Sequence, residues 1–157
     1  MTPNTSGRAT LPPRWFIRTA WAAHRGLLAV TADRVGLSRP TPGGRFGMLR
    51  LRTTGRRSGQ ERAVVLGYVE DGDRIVTLAM NGWDPAEPAW WLNLQARPEA
   101  AVDLVDGSRR VLAREADDSE RERLWDIVRT YSGYGNLDAL ASRRGRRTAV
   151  VVLEPLA

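Results

Sequence analysis

Ten consecutive residues, TTGRRSGQER from Thr53 to Arg62, gather three arginines, two glycines and three hydroxyl side chains. A glycine-permitted turn exposes backbone N–H groups. Ser58 adds a hydroxyl donor, and Arg56 and Arg57 add forked guanidinium groups, so the stretch has the donors a phosphate or carboxylate requires. It is not a Walker loop, which needs a lysine and leads into a helix, whereas this stretch leads into a strand. An ordinary solvated hairpin loop has the same composition, so residue types alone leave both readings open.

A second constellation is NGWDPAEPAWWLNL (81–94), which holds three of the six tryptophans. On a helix Trp90, Leu94 and Arg97 share a face, while Trp91 points about a third of a turn away. Two adjacent tryptophans cannot occupy one apolar stripe. This predicts that one of them faces a groove, against the alternative that both are packing residues. Asn93, on the same helix, is expected to cap or orient a loop. Farther on, Tyr131 and Tyr134 lie in a glycine-containing stretch, and a tyrosine in a pocket can donate a proton.

Other chemistries are excluded by what the chain lacks. There is no cysteine and one histidine, His24, so no thiolate nucleophile and no cysteine or histidine-cluster metal site is expected within the chain. No G-x-S-x-G elbow pairs a serine with that histidine. All 24 basic residues are arginine. Residues 1–62 carry 12 arginines against Asp33 and Glu61, a net +10, while residues 63–142 sum to −7 and 143–157 to +3. That field attracts anions. Nucleic acid is not the expected partner, because residues 115–126 are too acidic to continue a basic face and RRGRR (143–147) reads as a solvated turn.

The elements that must position these residues follow from periodicity. Residues 1–12 read as a flexible tail. Residues 13–37 read as an amphipathic helix with Ile17, Trp21, Leu28 and Val35 in one stripe, packed on the domain or laid on an anionic membrane. SRPTPGG (38–44) breaks it as a linker. RFGMLRLRTT alternates as a strand, and ERAVVLGYVE and RIVTLAM flank the DGD hairpin signal at 71–73. PAWWLNLQA reads as a short helix opened by proline. AAVDLVD and RRVLAREA form a second hairpin about Gly107. Ser119 and Glu122 suggest a capping box for a helix to about Tyr131. One helical turn is expected in 131–147, and TAVVVLEP is a buried strand. Six mostly antiparallel strands predict a small β-barrel with peripheral helices, an α+β chain that is mainly β. Neither end reads as a secretory signal or membrane span, so the cytoplasm is the expected compartment, with membrane association left to the front helix.

The order of these motifs is more specific than any of them. LRTTGRRSGQER, VVLGYVEDGDRIVTLA, NG, PAWWLNLQARPEAAV, DSERERLWDIVRTYSGY and VVVLEP, over about residues 45–155, resemble the deazaflavin (coenzyme F-420)-dependent nitroreductase family. The resemblance implies a six-stranded antiparallel split β-barrel over 45–157, similar to FMN-binding split barrels. It implies an oxidoreductase that passes a hydride from reduced F-420, an 8-hydroxy-5-deazaflavin with an anionic tail, to a hydrophobic electron-poor acceptor such as a quinone, nitroaromatic or enone. FMN is the alternative cofactor, and a non-catalytic cofactor- or lipid-binding module the alternative function. Carried over by motif, Arg56, Arg57 and Ser58 would grip the phosphate. Arg62, Ala63, Val64, Val65, Leu78, Ala79, Met80 and Asn81 would line the ring, and Ala89, Trp90, Trp91, Leu92 and Asn93 would form the helix beside it. Tyr134 would close over the substrate as proton donor, with Tyr131 and Trp83 beside it. Asn81 replaces a lysine of some relatives, and Trp83 stands where a second glycine is common. A homodimer is also expected, by analogy.

Overall fold

The computed structural model describes residues 36–157, so the expected tail and all but the last two residues of the expected front helix lie outside the described residues. Gly36 and Leu37 are not helical. Instead of a loose linker, Ser38 exchanges backbone hydrogen bonds with Met48, which ties residue 38 to the first strand.

Six strands form a closed antiparallel barrel. They are β1 (Gly47–Thr54), β2 (Glu61–Asp71), β3 (Arg74–Ala79), β4 (Glu99–Leu104), β5 (Gly107–Glu115) and β6 (Ala149–Pro155). Around the barrel the order is β1-β2-β3-β6-β5-β4, and β4 pairs back onto β1. The alternation in β1 is the cause of its placement: Leu49, Leu51 and Thr53 point inward and are buried, while Arg50 and Arg52 face outward and pair with Asp103 of β4. The Asp71–Asp73 turn has Gly72 at φ 66°, the left-handed conformation that glycine adopts without a Cβ penalty.

Two apolar cores share the strands. Inside the barrel, Leu49, Leu51, Ile75, Val102, Val111, Val151 and Leu153 meet α1 (Ala89–Ala96), whose Trp90, Trp91 and Leu94 join the same core. Outside it, Val76 and Leu78 of β3 and Val150 and Val152 of β6 are covered by Leu124, Trp125 and Val128 of α2 (Asp118–Arg129). This explains why β6 is a continuous apolar run: both of its faces are buried.

The capping box of α2 lies two residues earlier than the sequence suggests. Asp117 is the N-cap, accepting from the N–H groups of Ser119 and Glu120, and the Glu120 carboxylate accepts from the Asp117 N–H. Aspartate competes well with serine for this position, and Asp117 with Glu120 keeps the same i, i+3 spacing. The late loop also holds more helix than one turn, α3 at Leu137–Arg143, capped by the Asn136 side chain.

The barrel is split along one seam. β2 pairs with β1 through Tyr68 but with β3 only over Val69–Asp71, and β3 continues against β6. Among the described residues no ladder joins Arg62–Gly67 to Thr77–Ala79. The Thr77 hydroxyl donates to the Gly67 carbonyl at 2.8 Å where the strands part.

Candidate functional site

The arginine-rich stretch forms the turn between β1 and β2. The Gly55 N–H donates to the Gln60 carbonyl at 2.7 Å, and the Gly59 N–H donates to the Gly55 carbonyl at 2.8 Å. A Cβ at Gly55 would stand 2.7 Å from Ser58 Oγ, so any larger residue there would push the serine hydroxyl aside. Arg56, Arg57 and Ser58 are exposed at its tip, and neither arginine nor Arg62 pairs with an acid among the described residues. Ser58 Oγ accepts from the Gln60 N–H at 3.2 Å, which leaves its own proton free to donate.

Asn93 is what holds this turn to the helix. Its Oδ1 accepts from the Arg56 N–H and its Nδ2 donates to Thr53 Oγ1, each at 3.1 Å, from a side chain only 5% exposed. The expectation that Asn93 orients a loop holds. The expectation that one tryptophan faces a groove does not. Trp90 and Trp91 are 8% and 5% exposed, and their rings meet at 6.4 Å in an edge arrangement, both inside the barrel core. The helix packs on both β1 and β5, so neighbouring wheel positions are both buried. Ala89 is exposed and Leu92 half-buried.

The two strands flanking the seam carry the next residues. Arg62 and Ala63 are exposed and Val64 and Val65 half-buried on β2, while Leu78 and Ala79 are buried on β3 and Met80 is half-buried after it. The chain then makes a single 3-10 turn, Asn81–Trp83, with φ of 48° at Asn81 and 68° at Trp83. Left-handed backbone is strained for a bulky side chain and tends to occur where surroundings over-determine it.

The expected acceptor residues belong to the outer core or pack against it. Trp83 and Met80 pack on the outer core that contains Tyr131, Tyr134 and Leu78. Tyr134, 7% exposed, stacks on Phe46 with centroids 4.5 Å apart. It is thus packed rather than held loosely over the barrel. Burial pushes its phenol well above the ordinary tyrosine range, with Tyr131 adding to the rise, and burial and the Glu70 charge raise Tyr131 too. Both phenols keep their protons at neutral pH.

Two contributors escaped the sequence. Gly67 lies beside the seam, and a Cβ there would come within 2.9 Å of the Phe46 ring and 3.4 Å of the Tyr134 hydroxyl. No sequence signal marks this, because a glycine inside a strand has several causes. Arg144 contradicts the reading of RRGRR as solvated throughout: it is 1% exposed and hydrogen-bonded to the segment 84–87. Its flanking arginines look identical in sequence, and only the fold singles it out.

The anion-ready turn beside a seam in a closed barrel can be set against known proteins. The family model described as F420H(2)-dependent quinone reductase matches residues 25–155. The chain belongs to that family. It is an oxidoreductase of the F-420-dependent quinone reductase family, and reduced coenzyme F-420 is the hydride donor. A Mycobacterium tuberculosis (strain ATCC 25618 / H37Rv) protein named as such a quinone reductase is 34% identical over 134 residues, 83% of this chain and 86% of that one. Among solved structures, an F420-H2 dependent reductase (FDR-A) aligns with TM-score 0.60 and 30% identity, covering 68% of this chain and 93% of its own. A domain-swapped dimer aligns with TM-score 0.64 and 29% identity, covering 91% and 100%. The split barrel is therefore the family's fold, as the resemblance implied.

The residues present fit the family's cofactor. A phosphate-bearing polyanion needs exposed donors without competing acids, and the Arg56–Ser58 tip supplies them.

Proposed function

We propose that the protein transfers a hydride from reduced F-420 to a quinone-type acceptor, with the cofactor along the seam between β2 and β3. The observation that carries the reading is the position of that seam. It runs from an arginine turn without acidic partners among the described residues to Gly67, beside the Phe46 ring and the Tyr134 hydroxyl.

The bound deazaflavin supplies the hydride from C5. The chain supplies the rest. Arg56, Arg57 and Ser58 hold the phosphate, and Asn93 fixes the turn that presents them. Arg62, Ala63, Val64 and Val65 on one side, and Leu78, Ala79, Met80 and Asn81 on the other, line the ring, with Ala89 and Leu92 beside it. Trp90 and Trp91 act from the core by seating α1. The Tyr134 hydroxyl, protonated at neutral pH as an ordinary phenol is, donates to an acceptor oxygen as negative charge develops there. The apolar cluster favours a hydrophobic acceptor, which a quinone satisfies, and nitroaromatics and enones share its electron demand.

A homodimer is part of this reading, supported by the domain-swapped dimer among the similar structures. The compartment we propose is the cytoplasm. No described helix is long and apolar enough to cross a membrane. The apolar stripe expected at 13–37, Ile17, Trp21, Leu28 and Val35, packed on the domain or laid on a membrane, lies outside the described residues.

The deciding experiment titrates the protein with F-420 and, separately, with FMN, followed by ligand fluorescence and tryptophan quenching. Micromolar binding of F-420 alone, with menadione reduced in turnover, is the expected result. Binding of FMN alone, or saturation without reduction of any quinone, would overturn the reading.

A further inference from the structure

Arg144 caps the C-terminus of α3 and is the largest of the fully buried side chains. Its guanidinium is surrounded by acceptors drawn mainly from one short segment. Nε donates to the Asp84 carbonyl at 2.8 Å, and Nη2 donates to the Ala86 carbonyl at 3.1 Å and to Glu87 Oε1 at 3.2 Å. Nη1 donates to Thr148 Oγ1 at 3.1 Å. A guanidinium this deeply buried is tolerated only when acceptors replace the lost water, so its environment is built around it.

The segment it grips follows the strained turn directly. Asn81 and Trp83 both hold positive φ without being glycine. Local bonds are the Trp83 N–H to the Met80 carbonyl at 2.8 Å, the Asp84 N–H to the Asn81 carbonyl at 3.2 Å and the Ala86 N–H to Asp84 Oδ1 at 2.9 Å. The Ala86 carbonyl receives both Arg144 Nη2 and, at 3.2 Å, Asn81 Nδ2. One acceptor therefore links the buried guanidinium to the strained asparagine. At the other end of the same helix, Leu137 packs in the cluster that contains Tyr134.

We propose that Arg144 is a positioning residue for the acceptor site: it fixes segment 84–87 and so holds Asn81 and Trp83 in their left-handed conformation. Conformations of this kind persist when the surroundings over-determine them, and Arg144 supplies that determination here. The inference rests on the reading of Asn81 and Trp83 as site residues given above. Arg144 touches neither substrate nor cofactor; it acts through the turn.

The test compares the full chain with Arg144→Met and Arg144→Lys. Glu87 keeps Arg146 at 3.5 Å as a second partner, so neither change strands its carboxylate. Hydrogen exchange is followed at 81–87 and, as reference, over β6. Reduction of 2-methyl-1,4-naphthoquinone and of 2-methyl-1,4-benzoquinone is measured at saturating reduced F-420. In Arg144→Met the amides of 81–87 should exchange at least about tenfold faster while β6 is unchanged. The ratio of kcat/KM between the two-ring and one-ring quinones should shift by about fivefold or more, with Arg144→Lys intermediate. A merely structural role would lower both quinones together. Unchanged exchange at 81–87, or an unchanged ratio, overturns the proposal. A wild-type protein that reduces neither quinone sinks the acceptor reading instead, and exchange at 81–87 then decides the clamp alone. If Arg144→Met does not fold, Arg144→Lys carries the same comparisons.

Discussion

Asn93 accepts the backbone N–H of Arg56 at 3.1 Å across 37 positions of chain, so the helix that closes the barrel also sets the turn that presents the arginines. Because the asparagine is buried, its loss leaves the Thr53 hydroxyl and the Arg56 N–H without their partner. Asn93→Leu should cost about 1–3 kcal/mol of stability. It should also weaken F-420 binding with both arginines intact. A fluorescence titration at a temperature where the variant is folded checks this; unchanged affinity would mean the turn holds its shape without the helix.

Arg56→Ala with Arg57→Ala should weaken F-420 at least about tenfold, since charge-assisted bonds to phosphate are among the stronger hydrogen bonds. The wild-type affinity should fall between 50 mM and 500 mM salt, and the double variant should lose most of that dependence. A variant with a wild-type salt slope would place the anion elsewhere.

How much of this was legible beforehand varies with the distance in sequence between partners. The alternation of Leu49, Leu51 and Thr53 and the glycine turn at Asp71–Asp73 are local patterns, and each strand is where its period puts it. The ordered motifs carried the family. What failed is non-local. Trp90 and Trp91 share a core because α1 packs on β1 and β5 together, which a helical wheel does not encode. Arg144 is buried because segment 84–87 folds onto it from far along the chain. The capping box is the local exception: it falls at Asp117 rather than Ser119 because two overlapping cap signals compete.

Tyr134→Phe should lower kcat more than it weakens F-420 binding, by about tenfold or more, if the hydroxyl donates as charge develops. Burial raises this phenol, so it stays protonated across the working range. The wild-type and variant pH–rate profiles should therefore have the same shape from about pH 6 to pH 9. An alkaline limb in that window that vanishes in the variant would show that the phenol titrates there and would contradict its rise by burial; an unchanged kcat in the variant would contradict the donor role.

Asp103 makes the outer wall sensitive to acid. Burial pulls its carboxyl up, but hydrogen bonds from Ser108, Arg50 and Arg52 outweigh burial and hold it below the ordinary aspartate range. For a carboxyl depressed by folding, the stabilisation is complete above the unfolded value of about 3.9 and is lost as pH falls through the folded one. Asp103→Asn should thus cost about 2 kcal/mol at pH 7, and the difference should shrink below about pH 4. Urea midpoints at pH 7, 5 and 3 measure it, and a constant difference would assign the cost to packing instead.

Gly67→Ala tests the aromatic side of the seam. The new Cβ would come within 2.9 Å of two Phe46 ring carbons, too close for either to remain in place. Phe46 has little room to yield: a Cβ built at Gly133 would already stand 2.4 Å from its ring, and Tyr134 stacks on it at 4.5 Å. The displacement therefore passes to Tyr134. Overpacking of this kind costs about 1–3 kcal/mol. The kinetic result separates it from plain destabilisation: the KM for a quinone should rise several-fold while F-420 affinity is retained, because Gly67 lies in the middle of β2 and the Arg56–Ser58 turn precedes its first residue. Loss of F-420 affinity in step with the quinone would show that the two sides of the seam do not act separately.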